Sequence, residues 1–148
     1  MNVSFEHIDK NIFNASDIEE AMKAIVLQSG VTKYVYNNRP KAVAESGKDF
    51  VVVMVSGVIE DMKAYGTCQV LVSMFAQDAA GFKNGKKLGI LQKGIMDFMP
   101  AECSILDGDG EVVKQFEIET TPMVLGDASD DFGYHARTIQ YNILIKVL

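Results

Sequence analysis

The 148-residue sequence contains no tryptophan, and it has only two cysteines and two histidines. Cys68 lies within an apolar strand pattern and Cys103 just beyond a helix, and their spacing matches neither a metal site nor a redox motif. Two buried free thiols in the reducing cytoplasm are therefore expected rather than a disulfide. With so few histidines, no histidine metal site is supported, and neither a metal nor a cofactor is expected.

Long apolar runs and clusters of basic charge are also missing. No segment approaches the roughly 20 apolar residues that span a bilayer, and the first residues lack a basic flank leading into an apolar stretch. Neither a membrane anchor nor a signal peptide is expected. The net charge is -6, and Lys86 and Lys87 form the only adjacent basic pair. Direct binding to the phosphate backbone of a nucleic acid is therefore disfavoured.

What the sequence does have is the composition of an ordinary globular domain, with 48% hydrophobic and 23% charged residues. Residues 1–15 show no clear periodicity and are expected to form an N-terminal arm or a loosely attached edge. Residues 16–148 show neither an internal repeat nor a linker. They are predicted to form a single domain.

Two amphipathic helices are predicted. The first begins with Ser16 and Glu19, whose spacing is that of a capping box, and ends at Gly30. The second runs through apolar residues at helical spacing from residue 88 to residue 99, and Pro100 ends it. Its two glycines cost helix stability, so we expect them to permit close packing.

The remaining apolar segments alternate or run continuously, as strands do. A turn-rich DGDG sequence predicts a hairpin between residues 104–106 and 112–118. The segment with Pro122, Gly126 and several aspartates is interpreted as a polar loop. The other predicted strands are residues 31–36, 50–59, 67–76 and 134–148. The predicted fold class is α+β, a mainly antiparallel sheet with two helices on one face.

Three segments that resemble known sites have simpler structural explanations. The DGDG turn lacks the spaced acidic ligands of a calcium loop, and GFKNGKKLG lacks the hydroxyl residue of a phosphate-binding loop. Asp127, Asp130 and Asp131 could bind a cation or a basic partner surface, although a solvated loop explains them as well. His135 has no neighbouring nucleophile in the sequence and is interpreted as a solvent-facing strand residue.

The order of these elements resembles that of a phage protein family. An amphipathic helix precedes Tyr34-Val35-Tyr36, which runs into Asn37-Asn38-Arg39-Pro40, and the hairpin DFVVVMVSGVI…GTCQVLVSMFAQD follows. This layout is similar to that of the tail terminator and tail completion, or head-tail joining, proteins of long-tailed phages. The resemblance covers residues 16–148 and rests on layout, since no single residue is diagnostic.

The resemblance implies a structural protein of a phage or prophage without an active site. Such a protein forms a homo-oligomeric ring, expected to be a hexamer, that terminates the tail tube and joins it to the head connector. It acts in the bacterial host cytoplasm during assembly and then in the virion tail. Partners would contact residues 37–48, 60–66 and 122–133. The candidate contact residues are Asn37, Asn38, Arg39, Lys41, Lys48, Glu60, Asp61, Lys63, Asp127, Asp130 and Asp131.

Two other functions fit the same sequence. A small cytosolic ligand-binding or adaptor domain would use the concave face of the sheet and contain a closed apolar pocket. An enzyme would have to build its site from His135, Arg137 and the nearby aspartates, and the fold would have to bring these residues together in a cleft.

Overall fold

The computed structural model describes residues 1–5, 15–37, 48–62, 65–119, 121–129 and 132–146. Two helices and eight strands make up this part of the chain. In order they are β1 (Asn2–Ser4), α1 (Ala15–Ser29), β2 (Val35–Tyr36), β3 (Phe50–Met62), β4 (Tyr65–Gln77), α2 (Gly85–Phe98), β5 (Glu102–Leu106), β6 (Val112–Ile118), β7 (Met123–Ser129) and β8 (Tyr134–Lys146).

All eight strands form one sheet with β8 near its middle. The strand order is β1-β5-β6-β8-β4-β3-β2, and β7 pairs with β8 on the side that β6 also occupies. Strands β6 and β7 divide that side, since β6 pairs with residues 143–146 of β8 and β7 with residues 135–140. On the other side, β4 pairs with β8 along its whole length.

The α+β class is confirmed, and the sheet is mixed. The central pairs are antiparallel, whereas β1 runs parallel to β5 and β2 runs parallel to β3. Parallel neighbours cannot be joined by a tight turn. Accordingly, β1 and β5 are far apart in the sequence, and a long connection separates β2 from β3. The expected antiparallel pattern therefore holds for the interior of the sheet and fails at its two ends.

Both helices pack on one face of the sheet, as predicted. A single cluster of buried side chains contains residues of both helices and alternate residues of the strands. From the helices it includes Ile18, Met22, Ile25, Leu88, Leu91 and Ile95. Burying each such side chain contributes about 1.5–3 kcal/mol relative to leaving it exposed. This shared cluster is the core of the domain.

The opposite face has a smaller apolar cluster near the start of β3. Phe50 stacks on Phe75 with their ring centroids 4.5 Å apart, and Tyr134 meets Phe50 edge-on at 5.4 Å. Val52 completes the cluster. The remainder of this face, which we call the open face, has no helix over it in the described part of the chain.

The helix ends agree in part with the predicted signals. Gly30 follows α1 with a φ of 74°, which confirms it as the left-handed stop. Helix α1 begins at Ala15, and the carboxylate of Glu19, expected to cap the helix start, accepts a hydrogen bond from the backbone N–H of Val55 at 2.9 Å. Helix α2 begins after Asn84, whose side chain accepts from the backbone N–H of Lys87.

Several predicted strand boundaries were wrong. The segment read as a polar loop contains the seven-residue strand β7, and the predicted strand over residues 31–36 is only the two residues of β2. Residues 2–4, within the predicted arm, form β1 at the edge of the sheet. For β1 and β7, pairing with a distant strand overrides weak local preference, whereas β2 is short because only Val35 and Tyr36 pair with β3.

The predictions for the DGDG hairpin and for the two cysteines were correct. The DGDG hairpin joins β5 to β6, and the Asp107 carboxylate accepts from the backbone N–H groups of Asp109 and Glu111, which stabilises the turn. Cys68 and Cys103 are free and buried, and burial raises the pKa of each thiol to about 11. No helix in the described residues is long and apolar enough to cross a membrane.

The two glycines of α2 have different surroundings and give a matched test of helix packing. A Cβ on Gly94 would collide with the side chain of Val31, whereas a Cβ on Gly89 would have no contact closer than 4.0 Å. We expect Gly89→Ala to raise the free energy of unfolding by about 0.5–1 kcal/mol, the gain in helix propensity.

Gly94→Ala should lose that gain, because the new methyl group must displace Val31. Val31→Ala removes the side chain that the new methyl group would meet. In a double-mutant cycle, the Val31→Ala/Gly94→Ala protein should therefore be more stable than the sum of the two single effects predicts. Urea denaturation of the wild type, Gly89→Ala, Gly94→Ala, Val31→Ala and the Val31→Ala/Gly94→Ala double variant measures both effects and the coupling energy. If the two glycine substitutions stabilise the protein equally, the close approach of Gly94 to the side chain of Val31 is contradicted.

Candidate functional site

The predicted contact residues lie in three parts of the molecule. Asn37 and Lys48 flank the edge formed by β2 and β3, Glu60 and Asp61 lie near the end of β3, and Asp127 lies in β7. The others fall outside the described residues; they are Asn38, Arg39, Lys41, Lys63, Asp130 and Asp131.

The first part is fixed to the domain at both of its ends. The side-chain amide of Asn37 donates to the carboxylate of Glu20 on α1. Lys48 is exposed, and its backbone carbonyl accepts from the hydroxyl of Tyr134 at 3.3 Å. These bonds hold the two ends of the segment against α1 and the start of β8.

The second part is a strand pair rather than a loop. Glu60 and Asp61 pair with Thr67 and Gly66 of β4, and the pairing continues to Met62 and Tyr65. The predicted tip of residues 60–66 is thus mostly an extension of the β3–β4 hairpin. A register shift between Ser56 and Glu60 marks where this extension begins.

In the third part, Asp127 is held by two cations. The guanidinium of Arg137 donates to both carboxylate oxygens of Asp127, at 2.7 and 2.9 Å, and Lys83 lies 3.0 Å from the same carboxylate. Arg137 also donates to the side-chain oxygen of Gln92 on α2 at 3.0 Å. We call these four residues the Asp127 clamp, because together they fasten β7 to β8 and to α2.

The clamp satisfies the charge of Asp127 within the molecule. Hydrogen bonds from Arg137, assisted by Lys83, hold the pKa of Asp127 at about 2, well below its ordinary value of 3.8. The Asp127 side chain is only 11% exposed. Its carboxylate is therefore an internal anchor of β7, and the apolar side chains beside it are the more exposed part of this strand.

Strand β7 has the most exposed apolar edge in the described part of the sheet. Met123, Val124 and Leu125 are 58%, 40% and 37% exposed. Sequence reasoning missed this strand, because Pro122 precedes the apolar triplet and Gly126 and Asp127 interrupt it. The signal that could have found it is the triplet itself, three consecutive apolar residues in an otherwise polar segment.

The other two ends of the described sheet are short strands, and one backbone group of β3 beyond β2 is capped. Strand β1 has three residues and β2 has two. Beyond β2, the outward N–H of Val55 in β3 is bonded to Glu19. Short strands and capped backbone groups are the usual means by which proteins prevent pairing between sheet edges. Strand β7 shows neither of these features.

His135 is tied to the end of β4 rather than facing solvent as predicted. Its ring nitrogen Nδ1 lies 2.6 Å from the carboxylate of Asp78, and Asp78 donates its backbone N–H to the carbonyl of Gly133 at 2.8 Å. Ser129 is the cross-strand neighbour of His135. Among the described residues, Ser129 makes no hydrogen bond to the imidazole, so His135 and Asp78 act here as a structural tie.

The Asp127 clamp predicts a measurable contribution to stability. Asp127→Asn removes the charge that pairs with Arg137, and we expect it to lower the free energy of unfolding at pH 7 by about 1–2 kcal/mol. Because the pKa of Asp127 is lower in the folded chain than its ordinary value, this contribution is present above about pH 4 and is lost as the pH falls towards 2. The difference between the two proteins should therefore shrink across that interval.

A matched control is Asp97→Asn, which breaks the exposed ion pair between Lys93 and Asp97 on α2. Both side chains of that pair are well exposed, so no measurable loss is expected. Urea denaturation at pH 7 and at pH 2.5 tests both variants. An Asp127→Asn protein as stable as the wild type at pH 7 would contradict the anchoring role.

Comparison with known proteins gives matches at the level of structure. No protein-family model matches the chain, and no curated protein matches it in sequence. One similar solved structure, which carries no functional name, has 9% identity and a TM-score of 0.59, and the alignment covers 90% of this chain and 93% of that one. A chain from the virion of a native gene transfer agent particle has 11% identity and a TM-score of 0.53, with 91% of this chain and 99% of that one covered. The protein thus shares its fold, over almost the full length of both chains, with a component of a virion particle.

Proposed function

We propose that this chain is a non-enzymatic tail assembly protein of a phage or prophage. It forms a ring at the end of the tail tube, terminates the tube and joins it to the head connector. The observation that carries the proposal is the shared fold with a chain of a gene transfer agent virion, which spans 99% of that chain. A fold match that covers nearly all of a virion chain is stronger support for a role as a particle component than a match to one short motif would be.

The element order supports the finer assignment to the tail end. A helix, a short strand, a long hairpin, a second helix and a closing strand follow in the order that the tail terminator resemblance requires. The closing strand β8 lies near the middle of the sheet, where strands of the same chain pair with both of its sides. Contacts with neighbouring subunits can therefore use the edges of the sheet.

A ring of identical subunits needs a contact between two different surfaces of the same chain. Strand β7 lies on one side of β8, and the β2–β3 edge lies on the other side of the sheet. Surfaces on opposite sides of one rigid sheet suit a head-to-tail contact, because each copy can then present one side to each neighbour.

The polar groups considered for an enzyme also favour a structural role. Arg137 is bonded to Asp127 and Gln92, and His135 is bonded to Asp78. These are two separate ties that hold β8 to neighbouring elements. A general base would need a reacting group within hydrogen-bond reach. The proposed protein acts in the host cytoplasm during assembly and remains in the virion tail afterwards.

Light scattering behind a sizing column tests the ring. At high protein concentration we expect a closed oligomer, with a mass close to six times the 16.3 kDa of one chain, and ring-shaped particles in negative-stain electron microscopy. Added to polymerising tail tube protein from the same phage or prophage, the chain should bind tube ends and limit tube length.

The control is a bystander protein of similar charge, which should leave tube length unchanged. A chain that remains strictly monomeric at high concentration and ignores the tail tube protein would overturn the proposal. That result would favour the ligand-binding or adaptor alternative.

A further inference from the structure

We propose that the outer edge of β7 pairs with an extended strand of a second copy of this chain. This inference rests on the proposed function, because it names the surface through which one subunit of the ring meets the next. It commits to backbone hydrogen bonding centred on Val124, with the neighbouring copy also covering Met123 and Leu125. The argument comes from backbone direction, edge protection and charge.

The backbone direction along β7 follows from its pairing with β8. The carbonyl of Asn142 accepts from the N–H of Glu119, so Asn142 directs its backbone groups towards the β6–β7 side. The backbone N–H and C=O groups of successive residues alternate between the two sides of a strand. Because β8 pairs with β4 without a register shift, the backbone groups of Gln140 and Thr138 point towards the same side as those of Asn142. Their register partners, Met123 and Leu125, therefore form the ladder with β8.

Val124 lies between these two residues and directs its N–H and C=O away from β8. Among the described residues, β7 pairs with β8 alone. An outward N–H and C=O on an extended strand are the groups that an added strand uses in β-augmentation. The occupant that fits this edge is therefore another extended backbone.

The contrast with the other edges supports a binding role. Strands β1 and β2 have only three and two residues, and Glu19 occupies the outward N–H of Val55 in β3. Beyond its two residues next to β2, β3 pairs with β4 alone among the described residues and is the extended strand that a second copy could present. Strand β7 has seven residues and an exposed apolar triplet. A long apolar edge without a cap is a liability for a monomer, and it is explained if a partner covers it.

Charge favours a second copy as that partner. Each chain has a net charge of -6, so a contact between two copies costs less electrostatic energy where the two surfaces are uncharged. The triplet Met123 to Leu125 is uncharged, and the carboxylate of Asp127 is matched by Arg137 and Lys83. The residues beside Met123 and Leu125 on β8 are Gln140 and Thr138, which are also uncharged.

The Asp127 clamp would keep this edge in the conformation that pairing requires. Strand β7 has a register shift between Leu125 and Ala128, where an edge strand would be free to twist away from a partner. Asp127 lies in that irregular stretch, and Arg137 connects it to Gln92 on α2. A preformed strand loses less conformational entropy when a second strand binds.

Proline substitution tests the role of the backbone directly. Val124→Pro removes the outward N–H of Val124 and leaves the β7–β8 ladder in place, which is the setting in which edge strands tolerate proline. We expect it to weaken self-association at least about tenfold, as loss of a hydrogen-bonded edge contact should. The matched control Val124→Thr keeps the N–H and the β-branched shape, and it should assemble like the wild type.

Leu125→Pro is the control for damage to the fold, since it removes an N–H that bonds to β8. It should lower the melting temperature of the protein, whereas Val124→Pro should change it little. Sedimentation velocity over a concentration series measures association, and circular dichroism measures melting.

Hydrogen exchange on the wild type provides a measurement independent of any variant. On assembly, the Val124 amide should exchange at least about tenfold more slowly than in the diluted chain, while the Leu125 amide, already bonded within the chain, should change much less. An oligomer that forms equally well from Val124→Pro, with an unprotected Val124 amide, overturns this inference and leaves the proposed function standing. A wild-type chain that neither associates nor binds tail tube protein overturns both.

Discussion

The pairing of β4 with β8 determines the position of almost everything else in this domain. Each strand has 13 residues, and their register is unbroken from Tyr65–Lys146 to Gln77–Tyr134. Because side chains alternate between faces along both strands, this one register directs Val70, Val72, Ile139 and Tyr141 to the helices. A slip of one residue would expose that set and bury polar residues in its place.

The same register also decides what lies on the other side of β8. Backbone groups that do not face β4 must find partners elsewhere, and β6 and β7 supply them for different halves of the strand. Strand β6 is covered in turn by β5, and β5 by β1. In the part of the chain that the structure describes, β7 is the last strand of the sheet beside the other half of β8. The exposed edge is thus a consequence of how the two halves of β8 are paired, and the Asp127 clamp holds it in place from the helix side.

This arrangement relates the fold to the proposed role in a simple way. The domain completes its own core within one chain, so association with other copies is free to use the edges of the sheet. Within β7 the carboxylate of Asp127 is paired with Arg137, and the uncharged triplet Met123 to Leu125 is the more exposed part of that edge. A chain with a net charge of -6 can approach identical copies most readily through such a surface. A chain of a gene transfer agent virion shares this fold, and the proposed ring would repeat one such edge contact between identical subunits.

Local patterns of residues were enough to predict a large part of this fold. Both helices, the β3–β4 and β5–β6 hairpins and the long closing strand follow from helical spacing, alternation and turn residues. The two free cysteines were also predicted, because their spacing matches neither a metal site nor a redox motif. Among the candidate contact residues, the sequence identified Asp127 as notable but assigned it to a solvated acidic patch, because its partner Arg137 lies ten residues away on another strand.

The parts that depend on contacts between distant segments could not be predicted in this way. Strand β1 exists because Met1 to Phe5 meet β5, about a hundred residues further along the chain, and β2 exists because two residues align with β3. Strand β7 carries Pro122, Gly126 and Asp127 in or beside it, residues that disfavour a strand locally, and only the free half of β8 draws it into the sheet. Its exposed edge could not be read from the sequence for the same reason: which backbone groups are left without a partner is settled by the pairing of the whole sheet, and no local pattern records that pairing.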